Sequence, residues 1–117
     1  MIYERKCKAV IRELILAAVE MGADIVKIVD GGEGDLLVDW VQPDTKQSIG
    51  EAMPALLENV FDVEFSHILF GKGQDYLGTV FVNLEYDTKP DEIITDYIDT
   101  DFCRAVVPQA ENYIYAL

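Results

Sequence analysis

Two glycine-rich turns, each lying between two apolar runs, are the feature that most restricts the fold of this chain. GGEG at 31–34 separates the β-branched runs 25–29 and 36–41, and GKGQD at 71–75 separates 61–70 from 76–86. Glycine turns between β-branched or alternating apolar runs are typical of β-hairpins. The sequence therefore predicts two antiparallel hairpins, which supply about four strands of one sheet.

Two segments before and between the hairpins have the apolar spacing of amphipathic helices. Residues 3–21 form the first, and Gly22 follows in the position of a left-handed helix stop. Ser48 and Glu51 have the spacing of a capping box, so a second helix follows them, and Pro54 starts or bends it. The apolar stripe expected on the first helix consists of Cys7, Val10, Ile11, Leu14, Ala17, Ala18 and Met21.

The chain from Asp87 onward is predicted to be helical as well. Pro90 suits a first helical position, Thr100 suits the cap of a final helix, and Pro108 is expected to kink or divide that helix. We see no linker in the 117 residues, so 1–117 is predicted to be a single domain. The predicted fold is α+β, with three or four helices packed on the sheet in the order helix, hairpin, helix, hairpin, helix.

The only histidine lies in the clearest strand pattern. Phe61, Val63, Phe65, His67 and Leu69 alternate with polar residues, which predicts that His67 faces the core and bonds a backbone group. Ser66 then points to the opposite face, so a local Ser-His pair is excluded. Cys7 and Cys103 lie far apart without a CxxC motif, and we expect two free, buried thiols. The sequence offers no catalytic set and no reason to expect a cofactor.

Charge excludes two classes of partner. The chain has 22 acidic and 9 basic residues, for a net charge of −13, which argues against direct binding of nucleic acid or of anionic membranes. Its longest uncharged stretch, 76–84, is far shorter than the ~20 residues of a membrane-spanning helix. We expect a cytoplasmic protein. The basic residues are concentrated in 1–12, and this basic helix could hold its own sheet or a second copy of the chain.

The segment 85–101 has the highest density of negative charge, with seven carboxylates and one lysine, Lys89. If it is helical, Glu92, Asp96 and Asp99 form one row, and the charge density resembles that of a phosphate backbone. A solvated helix face that keeps the protein soluble is the simpler interpretation. The candidate partner-binding residues are Glu85, Asp87, Asp91, Glu92, Asp96, Tyr97, Asp99 and Asp101.

A second acidic group surrounds the first glycine turn. Asp30, Glu33 and Asp35 are weak candidates for a divalent cation site, because hard cations bind several oxygens. Their spacing does not match a calcium-binding loop, and no glutamate closes the loop at its twelfth position. A solvated hairpin turn is the simpler interpretation.

Residues 28–38 and 78–100 resemble small acidic proteins of phages, prophages, plasmids and bacterial genomes. The second stretch is similar to a pattern of Gly-x-Val-x-Leu-x-Tyr, a polar loop, and Glu-Val-Ile-x-Asp-Tyr-x-Asp. Its strand is about two residues longer than the pattern, and Thr79 stands where an aromatic residue is common. The resemblance implies a bacterial or mobile-element origin and no activity or site residue. The matching residues are Gly78, Val80, Leu84, Tyr86, Glu92, Ile94, Asp96, Tyr97 and Asp99.

These features predict a non-enzymatic interaction protein. Its acidic face would occupy a basic surface of a partner protein, such as the nucleic-acid-binding surface of that partner, as a phosphate mimic. Two alternatives remain open. One is a small domain that binds a divalent cation or a small ligand through the acidic glycine loop at 30–39, and the other is a structural homodimer.

Overall fold

The computed structural model describes residues 2–30, 36–41, 53–54, 57–58, 65–85 and 88–116, and the side chains of 8–29, 53–54, 57–58, 65–85 and 88–112.

Five antiparallel strands form one sheet in the described part of the chain. Their order across the sheet is β2-β1-β3-β4-β5, so β3 is the middle strand and β2 and β5 are the edges. Both predicted hairpins, β1–β2 and β3–β4, are confirmed, and β1 and β3 join them side by side. The strands are β1 (Ile25–Asp30), β2 (Leu36–Val41), β3 (Phe65–Lys72), β4 (Asp75–Asn83) and β5 (Ile94–Tyr97).

Helix α1 (Ile2–Glu20) ends as the sequence predicts. Gly22 has a φ of 106°, its amide donates to Val19 O, and the Ala23 amide donates to Ala18 O. These two bonds form a Schellman motif, which satisfies carbonyls at the end of the helix. After this helix end, the chain continues directly into β1.

One face of α1 is buried, and this face is wider than the predicted stripe. Met21 is an exception to the prediction because it is 48% exposed, whereas Ile15 and Val19 are buried in addition. The face is wide because α1 contacts a second helix as well as contributing to the core over the sheet. The predicted stripe residues found buried are Val10, Ile11, Leu14, Ala17 and Ala18.

The second helix, α2 (Asp101–Ala116), begins at the predicted cap. The Cys103 amide donates to Thr100 Oγ1 at 3.1 Å, and Thr100 Oγ1 in turn donates to Leu77 O at 3.0 Å. Thr100 therefore satisfies an amide of the first helical turn and also joins the helix to β4. The helix continues past Pro108, so, of the two predicted effects of this proline, division is excluded, and a kink stays a prediction.

Both helices lie on one side of the sheet, which gives two layers. Buried side chains from α1, α2 and alternate positions of β1, β3 and β4 form one apolar cluster. The strand residues in this cluster are Val26, Ile28, Ile68, Phe70, Val80 and Val82. Their neighbours along each strand point to the other side, which we call the outer face.

The segment between the hairpins contributes to the helical side of the molecule. Met53, Pro54, Leu57 and Glu58 have helical backbone where the middle helix is predicted, while Ser48 and Glu51 lie outside the described residues. Met53 is buried in the apolar cluster, and Glu58 Oε1 lies 2.8 Å from the Lys8 Nζ of α1.

The predicted number and order of helices require correction. Besides the helical residues at 53–54 and 57–58, the described residues contain two α-helices, where the sequence predicts three or four. After the second hairpin the chain forms a short 3-10 turn, Pro90–Glu92, and then strand β5, where a helix is predicted. The α+β class and the antiparallel sheet are confirmed. No helix in the described part is long and apolar enough to cross a membrane.

Candidate functional site

Within the acidic segment 85–101, the described residues 88–100 contain a 3-10 turn, the edge strand β5 and the loop after it, so their carboxylates do not form the predicted helical row. The Asn83 amide donates to Ile93 O, and the Ile98 amide donates to Thr79 O, which fixes the segment along β4. Pairing with an otherwise open strand edge satisfies backbone groups that an isolated short helix would expose to water. Glu92, Asp96 and Asp99 therefore lie in the 3-10 turn, in β5 and in the following loop, respectively.

Apolar side chains anchor this segment. Ile93 is fully buried in the core, and Ile94 and Tyr97 are half-buried against it. Tyr97 lies opposite the buried Val80 in the strand register, so its ring packs on the edge of the core. The β-branched sequence Ile93-Ile94-Thr95 is the signal that could have predicted a strand here.

The carboxylates of the segment all point to solvent wherever their side chains are described. Asp87 lies outside the described residues. The Asp96 carboxylate accepts a hydrogen bond at 2.8 Å from the Tyr97 amide, which is on the next residue of this edge strand. The exposed carboxylates, which we call the acidic surface, are Glu85, Asp91, Glu92, Asp96, Asp99 and Asp101.

Arg104 of α2 lies against one end of the acidic surface. Its guanidinium donates hydrogen bonds to Asp99 and Asp101. These bonds, led by the one to Asp99, raise the pKa of Arg104 above its usual value. All three side chains are exposed, so this pair of ion pairs contributes little to stability. It does reduce the negative potential at that end of the acidic surface.

The side chains of the three candidates for a cation site all lie outside the described part of the chain. Glu33 and Asp35 lie outside the described residues, and only the backbone of Asp30 is described, at the end of β1. Within the described residues, no group of three or more His, Cys, Asp or Glu side chains could hold a metal ion.

His67 lies on the outer face, which corrects the predicted phase of β3. Ser66, Ile68 and Phe70 are buried on the core side, whereas Phe65 is exposed and His67 and Leu69 are half-buried. The sequence FSHILF has apolar residues on both faces of the strand, so its pattern alone does not determine which face is buried. The ring of His67 packs edge-on against Phe81, with centroids 4.7 Å apart.

Ser66 lies on the core side of β3, so its hydroxyl oxygen is buried. Its Oγ has no hydrogen-bond partner among the described residues. Cys103 is also buried on the core side, where its thiol donates to Thr79 O at 3.7 Å. The sheet therefore separates Cys103 from His67, and these two residues do not form a nucleophile and base pair.

The outer face carries a shallow apolar groove that the sequence reasoning missed. The groove centres on His67 and Phe81, and the hydroxyls of Tyr76 and Thr79 share a hydrogen bond along it. The continuous apolar run in β3 is the signal that could have indicated it, because strands covered on both faces have such runs. The remaining groove residues are Val29, Leu69 and Ile98.

Comparison of the chain with protein-family models, with curated proteins and with solved structures finds no match. The functional argument therefore depends on the geometry and charge of this chain.

Proposed function

We propose that this protein is a non-enzymatic interaction protein, and that its acidic surface binds a basic surface on a partner protein. The observation that carries the proposal is the exposure of every described carboxylate between Glu85 and Asp101, on a segment whose apolar residues hold it to the sheet. A rigid backbone reduces the entropy that binding would cost. The net charge of −13 favours a cationic partner and speeds its association.

The partner we propose is a nucleic-acid-binding protein, with the acidic surface acting as a phosphate mimic. Exposed carboxylates present negative oxygens to the lysines and arginines that such a protein uses for phosphates. The resemblance of 28–38 and 78–100 to proteins of mobile elements suggests a setting in which a phage or plasmid product acts on a host protein. Inhibition of a host defence nuclease fits this setting by analogy.

The test is capture of partners from a bacterial lysate by the immobilised protein. We expect basic, nucleic-acid-binding proteins to be retained at low salt and released as salt is raised, because the screening length falls from ~30 Å at 0.01 M to ~8 Å at 0.15 M. Added duplex DNA should also release them, because it competes for the same basic surface. Retention that neither salt nor DNA reduces would contradict the proposal.

A matched pair of variants distinguishes the effect of the acidic surface on partner capture from the effect of total net charge. Asp91→Asn with Glu92→Gln removes two exposed carboxylates from the acidic surface. Glu13→Gln with Glu20→Gln removes two from α1, so both variants have the same net charge. We expect the first variant to lose most of the captured protein and the second to retain it. Equal losses would show that only total charge matters and would refute the assigned surface.

A further inference from the structure

We propose that the outer face of the sheet is the interface of a symmetric homodimer, in which the sheets of two copies pack face to face. This inference concerns the outer face, which shares Asp96 with the acidic surface but does not include Asp91 or Glu92, and it does not depend on the proposed function. The described residues that define the outer face are Ile25, Lys27, Val29, Phe65, His67, Leu69, Thr79, Phe81, Asn83 and Asp96.

The outer face is more apolar than a sheet surface that contacts only water. A half-solvated antiparallel sheet normally alternates apolar residues inside with polar residues outside. Here β1 presents Ile25 and Val29 outward, β3 presents Phe65 and Leu69, and β4 presents Phe81. Phe65 is 40% exposed, and Tyr76 and Ile98 at the margin are 57% and 43% exposed. Contiguous exposed apolar surface of this kind indicates an interaction site.

The described helical parts of the chain do not cover this face. Both α1 and α2 pack on the core side, and so do the helical residues of the connection between β2 and β3, because Met53 is buried in the core and Glu58 pairs with Lys8. The groove along His67 and Phe81 is open, and its walls are side chains of the sheet and of the loop after β5.

The position of the apolar residues suits a twofold axis. Phe65, His67 and Leu69 lie on β3, which is the middle strand of five. A twofold axis parallel to β3 and midway between two sheets brings β3 of one copy over β3 of the other. The most apolar strand then lies at the centre of the interface on both sides, as an isologous contact requires. Aligned sheets pack in this way at about 10 Å and about 30°.

The outer face has charges of opposite sign on the two sides of β3, and the same twofold axis brings these opposite charges together. The outward residues described include one lysine, Lys27 on β1, and one carboxylate, Asp96 on β5. The axis places β4 and β5 of one copy over β1 and β2 of the other, so Lys27 of each copy approaches the partner's Asp96. A second copy therefore supplies opposite charge at both margins.

The size of the sheet fits a small stable dimer. Five strands at a spacing of about 4.8 Å and a length of about 20 Å have a flat footprint of roughly 500 Å². Projecting side chains increase the accessible area above this footprint, toward the ~800 Å² per partner of a standard interface. The described carboxylates of α1 and α2 lie on the other side of the sheet, and salt screens the repulsion between the two copies.

Sedimentation equilibrium of the purified full chain, from about 1 µM to about 1 mM, tests the dimer without any partner protein. We expect a monomer–dimer equilibrium that persists in raised salt, because apolar burial is its main source. Leu69→Glu should raise the dimer dissociation constant at least ~100-fold, because it would bury unpaired charges at the centre. Gln109→Glu adds the same charge on the exposed side of α2 and should have little effect.

Charge reversal tests the geometry of the interface. Lys27→Asp and Asp96→Lys should each weaken the dimer by about tenfold, because each places like charges across the axis. The double variant restores opposite charges and should return the dissociation constant to within about threefold of the original. A monomer at ~1 mM, whether its outer face is bare or covered by another part of the chain, overturns the proposal. So does a dimer that tolerates Leu69→Glu or a double variant without rescue.

Discussion

Replacing Gly78 with alanine tests whether the contact between β4 and the start of α2 is as close as the structure indicates. A Cβ at this position would lie 2.4 Å from Cys103 Sγ and 2.9 Å from Thr100 Oγ1. Both distances are below ordinary van der Waals contact, so the helix, the strand or both must move. Neither neighbour moves easily, because Thr100 is bonded to Leu77 O and to the Cys103 amide.

The size of the effect follows from the kind of contact. Adding a methyl group to a packed core typically costs about 1–3 kcal/mol. The φ of Gly78, 156°, is also one that side-chain-bearing residues rarely adopt, which adds to the cost. We expect a loss of about 2–3 kcal/mol, which is a large share of the ~5–15 kcal/mol of a typical domain. The thermal midpoint should fall by about 10 °C or more.

Urea denaturation followed by circular dichroism measures this loss. We expect the urea midpoint to fall by about 1 M with an unchanged slope, because the surface exposed on unfolding is nearly the same. The matched background is Cys103→Ala, which removes the sulfur atom closest to the new Cβ and leaves Thr100 Oγ1 as the nearest neighbour. The cost of Gly78→Ala should be about 1 kcal/mol smaller in that background.

Two results would refute this reasoning about Gly78. One is a cost below about 0.5 kcal/mol, which is the range of an ordinary surface substitution. The other is an equal cost with and without the Cys103 sulfur, because additive effects indicate that the two sites do not touch.

Two other substitutions test single hydrogen-bonding groups. Thr100→Ala should cost about 1–2 kcal/mol, because it removes the cap of α2 and the bond to Leu77 O, and Thr100→Ser should recover most of the loss. Thermal melting of the two variants checks this, and equal melting temperatures would contradict the capping role. Ser66→Ala should leave stability unchanged or raise it by about 1 kcal/mol, because the buried Oγ has no partner among the described residues. A loss above about 1 kcal/mol in urea denaturation would show that this hydroxyl is bonded.

Local sequence signals predict the ends of helices and the positions of hairpins correctly where these depend on short-range chemistry. The helix stop at Gly22 and the cap at Thr100 involve residues within five positions of each other, so their geometry is present in the sequence itself. The two hairpins were predicted for the same reason, because their turns lie between adjoining apolar runs. The predicted strand positions 61–64 and the turn at 31–35 lie outside the described residues.

The candidate site was only partly predictable. The sequence identified the carboxylates between Glu85 and Asp101 and their exposure to solvent, because ionised groups are rarely buried without a partner. It did not identify Arg104 as the residue that pairs with Asp99 and Asp101, because many arrangements of this region would leave the three apart. The sequence does not predict the strand at Ile94–Tyr97, because Pro90 and the carboxylate spacing favour a helix where the β-branched residues favour a strand.

Composition and local pattern by themselves determined that this chain is an acidic α+β domain with two hairpins, a capped final helix and no strong catalytic motif. Only the tertiary structure decided which side of β3 is buried and whether residues 94–97 form a strand. The physical reason is the same in both cases. Each choice has nearly equal local energy, and the balance depends on distant partners: the helices that cover Ile68 and Phe70, and the open edge of β4 that pairs with β5.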